Sequence, residues 1–203
     1  MATVTAINTP RNPADLDAVR ALIREYADGL GVDLCFQDLD AELAELPGAY
    51  AAPRGALLML SVDGALAGCC AMRPLDNADH PNACEMKRLF VRPALRGLGL
   101  GRLLAESIMD ASRRAGYTSI VLDTLIHMAA ARAMYEQLGF EEIAPYYHNP
   151  IAGSRYLISR QRSERRAQEA FTCASRVPAS LTSNLPGAST LSEATLPSFT
   201  SIE

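Results

Sequence analysis

Arg92-Pro93-Ala94-Leu95-Arg96-Gly97-Leu98-Gly99-Leu100-Gly101-Arg102 is the stretch from which the fold can be read. An apolar segment of strand character, Ala83–Val91, runs into it, and Leu100, Leu104, Ile108 and Ala111 recur beyond it at helical spacing. Three glycines at alternate positions remove the Cβ atoms that hold a ligand off the backbone, and they permit positive φ. The N–H groups of such a loop, added to the positive end of a helix dipole, converge on an anion, and Arg96 and Arg102 can contribute charge-assisted hydrogen bonds. The predicted ligand is a diphosphate. Taken alone, three glycines fit equally well a tight strand-to-helix connection that binds nothing.

Working outward, Gly116 ends the helix and Ser119–Asp123 forms the next strand. A strand–helix–strand unit of this kind crosses right-handed and makes its two strands parallel. Upstream, Ala56–Val62, Leu66–Arg73 and Ala83–Val91 follow one another with an Asp63-Gly64 turn between the first two, which predicts an antiparallel meander. Before them come a strand at Thr3–Ile7 and a helix start at Asn12-Pro13-Ala14-Asp15. Leu16, Val19, Ile23, Tyr26 and Leu30 then form one apolar stripe, which Gly29 and Gly31 terminate. Phe36, Leu39, Leu43 and Leu46 mark a second helix, stopped by Pro47-Gly48. Downstream, a helix from Met128 to Leu138 ends at Gly139, and strands Phe140–Ile143 and Arg155–Ile158 flank the loop Pro145–Gly153. This order is α+β, with a mixed, mostly antiparallel sheet, and not the strict alternation of a doubly wound fold.

The composition narrows the function. Of 203 residues, 49% are hydrophobic and 21% charged, enough for one packed domain, expected over residues 1–160. From Gln161 to Glu203, Ser and Thr supply 13 of 43 residues, Pro178, Pro186 and Pro197 recur, and hydrophobic periodicity is lost, so a disordered tail is expected there. A net charge of −4 disfavours nucleic acid as a partner. No apolar run reaches the ~18–20 residues of a membrane span, and Met1–Arg11 lacks signal-peptide layout, so no membrane partner and a cytoplasmic location are expected. Cys35, Cys69, Cys70, Cys84 and Cys173 include no CxxC pair, and His80, His127 and His148 have no ligand spacing, so no metal is expected. Cys69, Cys70 and Cys84 fall in strands and read as small buried hydrophobes.

Which diphosphate the loop holds is the next question. No GxxxxGK[ST] is present, which disfavours a P-loop. A dinucleotide site places G-x-G-x-x-G directly after its strand, whereas here Arg92–Arg96 intervene and the third glycine comes one position early. A dinucleotide- or S-adenosylmethionine-dependent enzyme, with Asp123 on the ribose, stays open as a rival.

Leu89-Phe90-Val91, then Arg96-x-x-Gly99-x-Gly101, with Ala131-x-x-x-Tyr135-x-x-x-Gly139-Phe140 downstream, resembles the GNAT acyltransferase superfamily over roughly residues 3–160. Two separated motifs in the right order are far more specific than either alone. Glu85-Met86-Lys87-Arg88-Leu89, Leu122-Asp123-Thr124 and Tyr146-Tyr147-His148-Asn149-Pro150 further look like a bacterial GNAT subgroup. One departure is Met128, where many relatives carry Asn seven positions before the helix tyrosine. The resemblance implies acetyl-CoA as co-substrate and an amine as acceptor, with transfer by direct attack through a tetrahedral intermediate. A coenzyme A-binding regulatory module without turnover is the alternative from another class. The central parallel strands should splay, freeing the backbone of Leu89-Phe90-Val91 for the pantetheine arm, while Arg96, Gly97, Leu98, Gly99, Leu100, Gly101 and Arg102 hold the pyrophosphate. Exposed edge strands are expected to allow a homodimer.

The chemistry needs a base, an oxyanion donor and a route for the leaving thiol. An amine of pKa ~10.4 must lose a proton, and Glu85, six residues before Val91, is the expected base, with an ion pair to Lys87 or Arg88 as its competing role. The Val91 N–H is the natural oxyanion donor. Tyr135 stands where the superfamily often places a tyrosine near the sulfur. A thiol of pKa ~8.5 leaves largely unaided, so proton donation assists without deciding the rate. Tyr146, Tyr147, His148 and Asn149 are the expected acceptor contacts, on a loop stiffened by Pro150.

Overall fold

In the computed structural model, which describes residues 3–30 and 38–161, Asn12 and Asp15 cap the first helix reciprocally. The Asp15 N–H donates to Asn12 Oδ1 at 2.9 Å, and Asp15 Oδ2 accepts from the Arg11 N–H at 2.8 Å. This helix, α1 (Pro13–Leu30), follows strand β1 (Thr5–Asn8) and carries Gly29 inside its last turn. Then come α2 (Leu39–Glu45), a single 3₁₀ turn at Gly48–Tyr50, and the meander β2 (Ala56–Val62), β3 (Ala65–Leu75) and β4 (Ala83–Val91). Asp63 and Gly64 both take positive φ, 50° and 81°, as the tight hairpin between β2 and β3 requires. After the glycine loop follow α3 (Leu100–Arg114), β5 (Ser119–Leu125), α4 (Ala129–Gln137), β6 (Glu141–Ile143) and β7 (Ser154–Arg160).

The seven strands form one sheet in the order β1-β2-β3-β4-β5-β7-β6. Every neighbouring pair is antiparallel except β4 and β5. This is the α+β architecture expected from the sequence. Two cores sandwich the sheet. Leu104 and Ile108 of α3 and Tyr135 of α4 pack on Cys70, Met86, Ile120 and Leu122 on one face, and Val19, Leu22 and Ile23 of α1 with Leu43 of α2 pack on Cys69, Ala71 and Phe90 on the other. Leu22, Ile23, Leu104 and Ile108 are wholly buried, each contributing about 1.5–3 kcal/mol by removal from water. Gly31 and Phe36, and the expected tail beyond its first residue, lie outside the described residues. That first residue, Gln161, is buried, and its side chain donates to Ser112 Oγ of α3 at 2.5 Å.

Candidate active site

The two parallel strands pair over three residues and then part. Ala83, Cys84 and Glu85 lie against Ser119, Ile120 and Val121. Beyond them β4 runs on to Val91 unpaired on that side, while β5 stays with β7 as far as Leu125. A β-bulge accompanies the parting. The β3–β4 register slips between Cys69 and Ala71, and Arg88 sits at φ 57°. A left-handed residue with a side chain costs about 1–3 kcal/mol and needs external support. Glu42 of α2 supplies it, each carboxylate oxygen accepting one N–H of Arg88 at 2.9 Å. Burial pushes the Glu42 carboxyl up, yet the hydrogen bonds and charge of Arg88 outweigh it and leave the group below its ordinary range.

The bulge fixes which backbone groups face the fork. The Arg92 N–H donates to Ala67 O at 2.9 Å, so Ala67 and Arg92 form a hydrogen-bonded pair. By alternation Gly68–Val91 is a non-bonded pair, and the N–H and C=O of Val91 point away from β3 into the opening. Arg96 Nε caps that carbonyl at 3.1 Å. Phe90 is the opposite case: its backbone bonds to β3, and its ring packs on Tyr26 at 5.5 Å. Gly68 is obligatory at this crossing, since a Cβ there would stand 2.5 Å from Phe90 O.

Past Val91, Pro93–Leu95 makes one 3₁₀ turn and the chain enters α3 through Gly97 and Gly99, at φ 81° and 76°. Among the described residues, no acceptor receives the N–H of any residue from Gly97 to Arg102. Six consecutive donors at the positive end of a fifteen-residue helix fit a diphosphate. Arg102, expected to add charge there, instead binds Gln137 and Glu106, and Arg92 binds Glu25.

On the face covered by α1 and α2, a polar network lines the fork. Glu85 is 1% exposed. Its Oε2 accepts from Nε and Nη2 of Arg73, both at 2.8 Å, and its Oε1 accepts from the Tyr146 hydroxyl at 2.9 Å with Lys87 Nζ at 3.3 Å. Lys87 also donates to Asp123 Oδ1 at 3.0 Å, and Asn149 donates to Asp123 Oδ2 and to the Tyr147 hydroxyl. Burial, reinforced by Glu85 and Asp123, pushes the Tyr146 hydroxyl well above its ordinary value, so it remains a donor. Between the strands lies a cavity of about 110 Å³, walled by Lys87, Asp123 and Met128 and reached by Tyr26 and Tyr135.

Residues 17–140 match the family model described as Acetyltransferase (GNAT) family. The chain belongs to that family. It is 42% identical over 153 residues, 75% of its length and 92% of the other's, to a Schizosaccharomyces pombe protein named as an uncharacterized N-acetyltransferase. It is 33% identical over 132 residues to the uncharacterized N-acetyltransferase YjgM of Escherichia coli, covering 65% of this chain and 77% of that protein. The likeness therefore extends beyond bacteria, wider than the subgroup expected from the sequence. Among solved structures, an N-acetyltransferase of Thermoplasma acidophilum in complex with coenzyme A superposes with a TM-score of 0.58 at 13% identity, over 78% of this chain and 99% of that one.

Within this GNAT fold the expected site residues do not all converge. Leu89, Tyr135 and Met128 line the cavity, and Tyr146, Tyr147 and Asn149 close on the Glu85–Lys87–Asp123 network. His148 is exposed and Leu98 is 65% exposed, both outside the cavity walls. Leu100 is buried in the α3 core. The side chain of Gly101's neighbour Arg102 turns to α4, while Gly101 itself leaves its would-be Cβ only an ordinary contact with Met134. Asp123, the ribose acid of the dinucleotide rival, faces α1 and pairs with Lys87, on the face away from α3. Burial pushes the thiols of Cys69 and Cys84 up to about 12 and raises that of Cys70, so these are packing residues. Lys87, Arg88, Glu42 and Arg73 were not anticipated as site residues. The signal available was the charged Glu85-x-Lys87-Arg88 within an apolar strand, where i and i+2 share a face.

Proposed function

We propose that this protein transfers an acetyl group from acetyl-CoA to a primary amine by direct attack, without an acyl-enzyme. The observation that carries the reading is the opening between β4 and β5 with the Val91 amide turned into it, leading straight to six free N–H groups at α3. The first suits an amide-bearing arm laid along a strand edge, and the second suits its pyrophosphate. The coenzyme A complex of the structural neighbour supports the same ligand. Leu89 and Val91 would flank the arm, and residues Arg96 to Arg102 would hold the phosphates.

In this reading the Val91 N–H faces the thioester oxygen and stabilises the charge that develops there, an effect worth ~10²–10³ in rate. Tyr135 is buried on α4, its hydroxyl held protonated by burial, so it stands as a hydrogen-bond donor to the sulfur that leaves as a thiolate. Both oxygens of Glu85 are engaged, so we assign it as a base reached through Tyr146: the amine proton passes to the Tyr146 oxygen as the hydroxyl proton moves to Glu85. We place the action in the cytoplasm, in keeping with the unpaired buried thiols of Cys69, Cys70 and Cys84 among the described residues, and take the edge strands β1 and β6 as the surfaces for a homodimer. Thiol release from acetyl-CoA, screened over primary amines, tests the reading. Amine-dependent release is expected; stabilisation by NAD or S-adenosylmethionine with none by acetyl-CoA would refute it.

A further inference from the structure

We propose that the acceptor is a primary amine whose remainder bears no carboxylate, and that Asp123 is the anion that receives its ammonium group. This deepens the acetyl-transfer reading and rests on it.

The charges at the fork decide the class. Two cations wall the cavity among the described residues, Lys87 and Arg88, and neither is available to an incoming anion. Arg88 is bonded through two nitrogens to Glu42, and its side chain is 3% exposed. Lys87 is 7% exposed, lies between Asp123 and Glu85, and directs its ammonium at the Tyr147 ring, 5.4 Å from the centroid. Arg73, on β3, is paired with Glu85 through Nε and Nη2 and is not among the residues that wall the cavity. Each of the three cations thus already faces a carboxylate, whereas each Asp123 oxygen accepts a single hydrogen bond and keeps a lone pair for an ammonium donor. Among the described residues, the loop that closes on the network, Pro145-Tyr146-Tyr147-His148-Asn149-Pro150-Ile151-Ala152-Gly153, contains neither Lys nor Arg.

For a cation the surroundings are favourable. Of the three carboxylates, Asp123 is the one that lines the cavity; Glu42 and Glu85 are turned to their arginines. Asn149 and Lys87 fix its two oxygens, so it is held in place before any ligand arrives. The rings of Tyr147 and Tyr156 stand beside it, packed edge to face at 5.5 Å, and Tyr26 closes the wall from α1. Within the cavity the aromatic residues beside this carboxylate are Tyr26 and Tyr135, which suit an ammonium on an apolar body.

The test uses the full chain and three amine pairs that differ by one carboxylate: tyramine and tyrosine, histamine and histidine, 1,5-diaminopentane and lysine. Acetyl-CoA binding is first measured by calorimetry, and thiol release is then followed with each amine. The decarboxylated member is expected to show at least about a tenfold higher kcat/KM in any pair that is turned over. Asp123→Asn should raise KM for the best amine about tenfold or more, with the acetyl-CoA Kd within about twofold. Preference for the amino acids, an unchanged KM in Asp123→Asn, or acetyl-CoA binding with no turnover of all six amines overturns the proposal and leaves the coenzyme site standing. Failure of acetyl-CoA to bind overturns the acetyl-transfer reading itself.

Discussion

Glu42→Gln tests whether α2 holds the bulge in β4. The substitution keeps size and one acceptor oxygen but removes the counter-charge of Arg88, leaving a guanidinium at 3% exposure beside a neutral amide. Removing one member of a buried ion pair costs about 3–5 kcal/mol, and the retained hydrogen bond puts the expected loss near the lower end, about 3 kcal/mol. For a chain of this length each kcal/mol is worth about 2–4 °C, so the midpoint should fall by roughly 6–12 °C in thermal unfolding followed by circular dichroism at neutral pH. A fall under about 2 °C would show that Arg88 is solvated or paired elsewhere. Acid adds a second check. Because Arg88 holds the folded Glu42 below its ordinary value of 4.5, the pair's contribution is full above the unfolded value and is lost as pH falls through the folded one. The stability gap between wild type and Glu42→Gln should therefore narrow below about pH 4. A gap that stays constant down to pH 3 would refute the argument. Replacing both partners by well-packed apolar residues, Glu42→Leu with Arg88→Met, should recover most of the loss.

Gly68→Ala places a Cβ 2.5 Å from the Phe90 carbonyl, so β3 and β4 must separate at the crossing that aims Val91. We expect a loss of about 1–3 kcal/mol in urea unfolding together with a raised KM for acetyl-CoA; wild-type values for both would refute the close approach. Tyr135→Phe removes a hydroxyl that, in the proposed mechanism, aids the departing sulfur without being required. Thiol release should slow by no more than about tenfold at unchanged acetyl-CoA affinity, and a loss beyond about a hundredfold would mean that proton donation governs the rate.

The strand–helix–strand pattern around Arg92–Arg102 made the parallel pair legible, and the Asp63-Gly64 turn did the same for the meander, because both are local signals. The extent of the β4–β5 pairing was not local. It depends on Arg88 adopting positive φ without glycine or proline to mark it, a choice settled by Glu42 forty-six residues away. Arg96 and Arg102 were legible as charges beside a loop but not in their partners, since long side chains reach acceptors such as Val91 O and Gln137 that spacing does not reveal. Glu85 could be placed on β4, yet its engagement by Arg73 from β3 and Tyr146 from the β6–β7 loop required three segments to be brought together. Asp123 was visible as the end of a strand; that it faces α1 and Lys87 follows from register, which one strand's sequence cannot fix.

An opening inside a sheet poses a problem that bears on its own chemistry. Unpaired N–H and C=O groups along β4 form an edge, and edges invite wrong pairing unless they are covered, charged or bent. All three devices are present here. Tyr135 of α4 and Met128 at its N-cap cover one side and Tyr26 of α1 the other, Arg88 bends the strand, and Arg96 caps the Val91 carbonyl. The charges are Lys87 on one lip and Asp123 on the other, joined across the gap at 3.0 Å. A pair in that position holds the lips at a fixed distance and bars a strand from zipping between them. Among the described residues that wall the cavity, it also leaves one anion, Asp123, and no cation without a carboxylate partner. If Asp123 receives the acceptor as proposed, the residues that keep the fork from closing also set the charge it admits, so exchanging Lys87 and Asp123 should disturb acceptor choice even where the sheet tolerates the swap.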